Sequence, residues 1–321
     1  VAEIVVFRLS ALGDVIHTIP AVTFLRTALP DARVKWVVEE PYRELVELVS
    51  GAEVIPVRLK KWSRALLHSR AEMRAAVRAM RGADVAIDFQ GLIKSAALAS
   101  VSRAPLRFGF GAEAIREKAA LLFLNRRVRV DTGAHVIEQN LELARWSAAA
   151  LVGVVAGDKS TAEGGGAPPS TWSAFPLGNF PDLASSIVLL PGAGKANKLW
   201  PVERFRELAH RLGPRAVAVW GPGERELADQ IGARVAPPTT LRQLAWVLQH
   251  ADLVIGADTG PLHLAAALGT KVIGLYGPTN PRRNGPFGQL HRCLDRYETT
   301  KMMETITVDE VMNKVTEVLA Q

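Results

Sequence analysis

Short apolar runs rich in valine and isoleucine alternate with helical patterns, and the alternation occurs twice along the 321 residues. In the first half the runs lie at residues 4–7, 34–38, 54–57 and 85–89. A helical pattern extends from about residue 14 to 29. Another covers 62–80, where Trp62, Leu66, Met73, Val77 and Met80 lie near one stripe and Arg64, Arg70, Arg74, Arg78 and Arg81 lie largely elsewhere. Apolar strands separated by helices predict parallel sheets covered on both faces.

The alternation breaks at Gly157. Residues 157–181 contain three consecutive glycines, a Pro-Pro pair and many Ser and Thr, the composition of a linker. A second set follows, with strands expected at 187–190, 216–220, 253–255 and 272–276 and helices at 202–212, 225–231, 241–249 and 261–268. At about 150 residues per domain, the length agrees with two domains. The expected division is 1–156, a linker at 157–181, a second domain at 182–306, and a final helix at 307–321 that could pack on either. Thr307 and Glu310 form a capping-box pattern at its start.

Composition excludes several classes. A single cysteine, Cys293, rules out an intrachain disulfide framework and any multi-cysteine metal site, and suits a reducing cytosol. No run of about 18 apolar residues occurs, so no transmembrane helix is expected. The first residues read as a strand rather than a signal peptide. The net charge is +7, and residues 1–156 carry 22 basic against 16 acidic side chains. Residues 58–81 alone hold eight basic residues and one acid. An anionic partner is therefore expected at the first half. No nucleic-acid-binding motif accompanies the charge, so no nucleic acid partner is expected.

In open α/β sheets, ligands bind beyond the carboxyl ends of the strands. Residues 8–20, RLSALGDVIHTIP, follow the first strand. Gly13 suits a tight turn, and Asp14 is either a helix cap or a general base. Residues 254–269, VIGADTGPLHLAAALG, place a strand before a helix with proline in its first turn. Asp258 or Thr259 could cap that helix, and its free N–H groups at Thr259, Gly260 and Leu262 suit a diphosphate. His263 could add a hydrogen bond or simply pack. Residues 189–201, LLPGAGKANKLWP, are not a P-loop, yet Gly192, Ala193 and Gly194 permit close backbone approach, and Lys195 and Lys198 offer cations. Gly277 and Pro278 form a turn after another strand. Gln90, in the loop 88–95, and the basic residues Lys60, Lys61, Arg64, Arg126 and Arg127 complete the candidates. No Asp-x-Asp pair and no metal-ligand spacing occurs, so no metal site is expected.

Residues 9–20, 36–40 (WVVEE), 88–98, 198–201, 258–269 and 276–279, in this order, resemble the bacterial lipopolysaccharide heptosyltransferases of glycosyltransferase family 9. WVVEE and the stretch QGLIKSAA are most like heptosyltransferase I; Pro191-Gly192 and residues 260–263 are closer to other members, including heptosyltransferase II. The resemblance implies a GT-B fold, two doubly wound Rossmann-like domains facing across a cleft. It implies an inverting, metal-independent transfer of heptose from ADP-heptose, a substrate rather than a cofactor, to Kdo-lipid A. The enzyme would lie in the cytoplasm, peripherally on the inner face of the inner membrane. Asp14 and Lys198 would be catalytic, with Gly192, Ala193, Gly194, Asp258, Thr259, Gly260, His263, Gly277 and Pro278 on the donor. Ser10, Gly13, Lys60, Lys61, Arg64, Gln90, Arg126 and Arg127 would meet the acceptor. The alternatives are a heptosyltransferase II-like or other nucleotide-sugar transferase, and a non-catalytic binder of sugar nucleotide or glycolipid.

Overall fold

The opening strand β1 (Glu3–Phe7) is buried over its last four residues because it lies in the middle of a sheet. With β2 (Arg33–Glu39), β3 (Glu53–Val57), β4 (Val85–Asp88), β5 (Leu106–Phe110) and β6 (Arg126–Val128) it forms six parallel strands in the order β3-β2-β1-β4-β5-β6. The structure, a computed structural model, describes residues 1–152 and 180–321. The chain divides into two compact units, residues 1–171 and 172–321. All but the last two residues of the expected linker 157–181 lie outside the described residues.

The second unit repeats the arrangement. Its strands β7 (Ile187–Leu190), β8 (Ala216–Ala218), β9 (Arg234–Val235), β10 (Leu253–Ala257), β11 (Val272–Tyr276) and β12 (Leu294–Asp295) are parallel, ordered β12-β11-β10-β7-β8-β9. Both sheets therefore have the doubly wound order, reversing between β1 and β4 in one and between β7 and β10 in the other. The expected α/β class holds. The central strands are the ones the apolar runs revealed. Four outer strands were not anticipated: β5 and β6 carry arginines, and β9 and β12 have two residues each.

Several helices differ from the sequence expectation. The pattern 14–29 is two helices, α1 (Leu12–Ile16) and α2 (Ile19–Ala28). Pro20 lies in the first turn of α2, where its missing N–H costs nothing; inside one continuous helix it would break the ladder. Helix α3 (Arg43–Ser50) was not singled out, and it ends on Gly51 in the left-handed region at φ 59°. The pattern 62–80 is also two helices, α4 (Leu59–Arg64) and α5 (Arg70–Met80). The chain leaves the helical region at Ala65, so Leu66 does not join the apolar stripe and is 58% exposed. Helices α6 (Ile93–Val101) and α7 (Val136–Val152) complete the first unit as described, with α7 against α2.

In the second unit follow α8 (Val202–Leu212), α9 (Arg225–Asp229), α10 (Leu241–Gln249), α11 (Gly260–Ala267), α12 (Pro281–Asn284) and α13 (Val308–Leu319). The capping box of α13 forms as its sequence predicts: Thr307 Oγ1 accepts from the Glu310 N–H at 3.2 Å, and the Glu310 carboxylate accepts from the Thr307 N–H at 2.8 Å. Val308, Val311, Val315 and Val318 enter the core that holds Ile187, Phe205 and Ile273, so α13 packs on the second unit.

Candidate active site

In the first unit the site grows from the loops after β1 and β4, where the strand order reverses. Arg8 lies directly after β1 and is only 2% exposed. Its Nε donates to the Asp14 carbonyl at 3.1 Å, and its Nη2 lies 3.1 Å from Asp14 Oδ1. Its Nη1 donates to the Phe89 carbonyl after β4. One buried guanidinium thus joins two loops and one carboxylate. From β2, the Trp36 indole N–H donates to the Arg8 carbonyl at 3.2 Å, which gives the WVVEE stretch a role in fixing this corner.

Asp14 is the third residue of α1, not its N-cap; that position belongs to Ala11. The capping alternative is therefore replaced. Gly13 is the second helical residue and has no positive φ, so the tight turn expected of it is not formed there. A second guanidinium reaches Asp14: Arg116 Nη2 donates to both carboxylate oxygens, at 2.9 and 3.0 Å. Burial alone would raise the Asp14 pKa. The charges of Arg8 and Arg116 outweigh it and hold the carboxyl below its usual range. Asp14 stays 23% exposed and Arg116 43%.

Gly91 explains how Arg116 arrives. Its φ is +67°, and an added Cβ would lie 3.1 Å from Ile115 and 3.3 Å from the Arg116 nitrogen. The missing side chain lets the loop 111–117 lie against the β4 loop, and the Glu117 N–H donates to the Gly91 carbonyl at 3.0 Å. Asp88, wholly buried at the end of β4, accepts from the Gln90 and Gly91 N–H groups at 2.9 and 3.2 Å. Burial pushes its pKa up to about 6 against the pull of those N–H groups, of the Ser95 hydroxyl and of Arg8.

The expected acceptor residues are not one group. Gln90 is 3% exposed and its side-chain oxygen accepts from the Leu9 N–H at 2.7 Å, so it ties the two loops together. Ser10 is half-buried in the loop before α1. Lys60, Lys61 and Arg64 are exposed on α4 after the edge strand β3, with Lys61 paired to Glu72 at 3.0 Å. Arg126 and Arg127 are exposed on β6, the opposite edge. At about 4.8 Å per strand, the two edges lie roughly 24 Å apart.

In the second unit the loops after β7 and β10 meet where the order reverses. Lys198 ends a short 3-10 turn in the β7 loop. Trp200, 2% exposed, anchors that loop by donating from its indole to the Ile306 carbonyl at 2.9 Å and by standing edge-on to Phe205 at 4.8 Å. Lys198 Nζ donates to Asp258 Oδ2 at 2.6 Å, and His263 Nε2 lies 2.9 Å from Asp258 Oδ1. Asp258 is therefore not a side-chain cap. Burial opposes its charge, but His263 and Lys198 win and take its pKa down to about 2. Thr259 is the N-cap of α11 without a side-chain bond, and its Oγ1 is buried without a partner. Gly260 and Pro261 open the helix, leaving early N–H groups outside the ladder.

The remaining expected donor residues separate by cause. Gly194 has open space around it. A Cβ on Gly192 would fall 2.1 Å from the Glu224 carboxylate, and Ala193 is half-buried beside it. A Cβ on Gly277 would lie 2.9 Å from the Met303 nitrogen, so Gly277 has a packing reason; Pro278 follows it, half-buried. Among the described residues, no three His, Cys, Asp or Glu side chains gather as metal ligands. Cys293 is mostly buried, and burial pushes its thiol up to about 12, which leaves it unreactive.

Sequence reasoning missed Arg116 and gave Arg8 and Asp88 no role. Arg116 lies 102 residues from Asp14, and no local pattern links them. Arg8 did carry a signal: a charge directly continuing an apolar strand buried over its last four residues.

The model of glycosyltransferase family 9 (heptosyltransferase) matches residues 73–312. Lipopolysaccharide heptosyltransferase 1 of Escherichia coli (strain K12) is 33% identical over 302 residues, covering 89% of this chain and 91% of that one. The structure of E. coli heptosyltransferase WaaC with ADP superposes with a TM-score of 0.84 at 30% identity, covering 98% and 99% of the two chains. The same enzyme with ADP-2-deoxy-2-fluoro heptose gives 0.80 at 30% identity, with the same coverage. The family match, the heptosyltransferase 1 relative and the shared GT-B architecture agree with the resemblance carried by the six sequence stretches. The chain belongs to glycosyltransferase family 9, the heptosyltransferases.

Proposed function

We propose that this enzyme transfers L-glycero-D-manno-heptose from ADP-heptose to a Kdo hydroxyl of Kdo-lipid A, with inversion and without a metal ion. The donor is supported by WaaC, whose structures are named with ADP and with an ADP-heptose analogue. The place in lipopolysaccharide synthesis is supported by the relative's name. The observation that carries the chemistry is Asp14: a partly exposed carboxylate beyond a central strand, oriented by a buried arginine and a half-exposed one.

Asp14 accepts the proton of the acceptor hydroxyl as that oxygen bonds to the anomeric carbon. The bond from that carbon to the diphosphate breaks on the opposite face, and ADP leaves with the electron pair. A base placed in this way contributes roughly 10²–10⁴-fold. Negative charge grows on the diphosphate. Lys198 and the N–H groups opening α11 are the donors that meet it, so no metal is required in this scheme. Asp258 acts as the holder of Lys198 and His263.

The enzyme acts peripherally at the cytoplasmic face of the inner membrane. No helix of the described residues is long and apolar enough to cross a membrane, and the basic excess lies in the first half of the chain. Purified protein given ADP-heptose should transfer to Kdo-lipid A. Transfer only to an already heptosylated core would move the acceptor to that of a later enzyme. Strong inhibition by EDTA would contradict the metal-free scheme.

A further inference from the structure

Helix α5 carries a line of cations that the site does not use. Arg70, Arg74 and Arg78 on the helix, with Arg81 at its C-cap, follow the spacing i, i+4, i+8, i+11 along one side. All four are exposed. At 1.5 Å per residue the stripe is about 16 Å long. The opposite side of the helix is anchored: Ala76 and Met80 are buried in the core with Val5, Val37 and Ile55. Residues 58–81 contain one acid, Glu72, and it is turned away to Lys61, Arg58 and the Trp62 indole. No carboxylate among the described residues pairs with the four arginines.

Like charges at i, i+4 repel one another on a helix. This chain aligns three such residues and adds a fourth without a counter-charge. The turn just before α5 adds an apolar pair, Leu66 at 58% and Leu67 at 68% exposure. A polyanion alone would leave those leucines in water. A bilayer surface takes both, with the arginines at phosphate level and the leucines at the acyl boundary.

We propose that the arginine face of α5, together with Leu66 and Leu67, is a docking surface for an anionic lipid bilayer. This identifies the surface behind the peripheral association proposed above and rests on that association. It uses none of the residues assigned to Asp14 or to the donor.

The test is sedimentation of the full chain with vesicles, read beside transfer to a detergent-dispersed acceptor. Wild-type protein should bind phosphatidylglycerol/phosphatidylethanolamine vesicles, bind pure phosphatidylcholine weakly, and lose affinity as salt rises. The double variant Arg74→Glu/Arg78→Glu should weaken binding to anionic vesicles by more than about tenfold. Leu66→Ser/Leu67→Ser should weaken it several-fold, most clearly at high salt. Both variants should keep wild-type melting curves and wild-type transfer in detergent. Unchanged vesicle binding by the arginine variant would overturn the proposal, and so would equal binding of wild type to both vesicle types. Tighter binding to duplex DNA than to anionic vesicles at the same salt would overturn it in favour of a nucleic acid. Absent transfer by wild type in detergent would instead count against the proposed reaction while leaving the vesicle result intact.

Discussion

Two carboxylates occupy comparable places in the two units, Asp14 beyond β1 and Asp258 beyond β10, each beside the point where strand order reverses. Each is held by two cationic or proton-donating side chains: Asp14 by Arg8 and Arg116, Asp258 by Lys198 and His263. The difference is access. Asp258 is 9% exposed and its two partners are 20% and 4%. Asp14 is 23% exposed, and one partner, Arg116, is 43%. Asp258 is therefore built to hold other groups still. Asp14 keeps part of its side chain open to solvent, and we infer that its exposed partner Arg116 can be drawn away by an anionic acceptor.

The largest effect expected from this contrast is on turnover. Asp14→Asn keeps the shape but removes the base, and transfer should fall by roughly 10²–10⁴-fold. Equilibrium binding of ADP, assigned to the second unit, should stay within about twofold of wild type. Near-normal turnover in this variant would sink the base assignment. Asp258→Ala should show the opposite profile. It leaves Lys198 and the buried His263 without their shared carboxylate, so ADP binding should weaken. The second unit should also lose a few kcal/mol, on the order of 2–4, as when one member of a mostly buried pair is removed. Calorimetric ADP titration and urea unfolding read the two effects.

Much of this contrast was already visible in the sequence. The central strands and the loops holding Asp14, Lys198 and Asp258 follow from apolar runs meeting Gly- and Pro-punctuated turns, whereas the order of the strands does not. Periodicity failed where a helix changes direction without changing pattern, at residues 17–18 and 65–69. It failed again at the outer strands, which bury too little to be apolar throughout. Partners were harder still. Arg116 reaches Asp14 only because Gly91 admits a distant loop, a relation of tertiary packing with no sequence spacing. Likewise, Lys60 and Arg126 read as one basic acceptor patch until sheet order placed them at opposite edges.

Acid titration should separate Asp258 from Asp88 by the sign of their response. Asp258 has a folded pKa of about 2, below the ordinary aspartate value of 3.8. Its contribution to stability is full above the unfolded value and is lost as pH falls from about 4 toward 2. Asp88, beside Arg8 in the first unit, is raised to about 6. Folding there takes up a proton between about pH 4 and 6, so stability falls as pH rises through that window, by an amount on the order of 3 kcal/mol. Asp88→Asn should remove that slope and leave the low-pH loss, whereas Asp258→Asn should keep the slope and reduce the low-pH loss, of which Asp14 retains a share. Urea midpoints from pH 3 to 8 provide the comparison. Parallel slopes in both variants would mean that the two carboxylates do not differ as their surroundings dictate.

The smallest expected effect probes the exchangeable partner itself. Arg116 lowers the Asp14 pKa by its charge and by hydrogen bonding, while burial and Arg8 remain when it is removed. In Arg116→Ala the acidic limb of the kcat/KM profile should therefore move to higher pH. Water already screens a group that is 43% exposed, so the movement should be modest, and at pH 8 the base stays ionised. There kcat should remain within about tenfold of wild type, well short of the Asp14→Asn loss. Arg116→Lys should restore part of the shift, since it returns the charge but not the two-oxygen grip of the guanidinium. If Arg116→Ala abolished turnover at pH 8, Arg116 would be more than an exchangeable counter-ion, and the two sites would be alike in needing both of their partners.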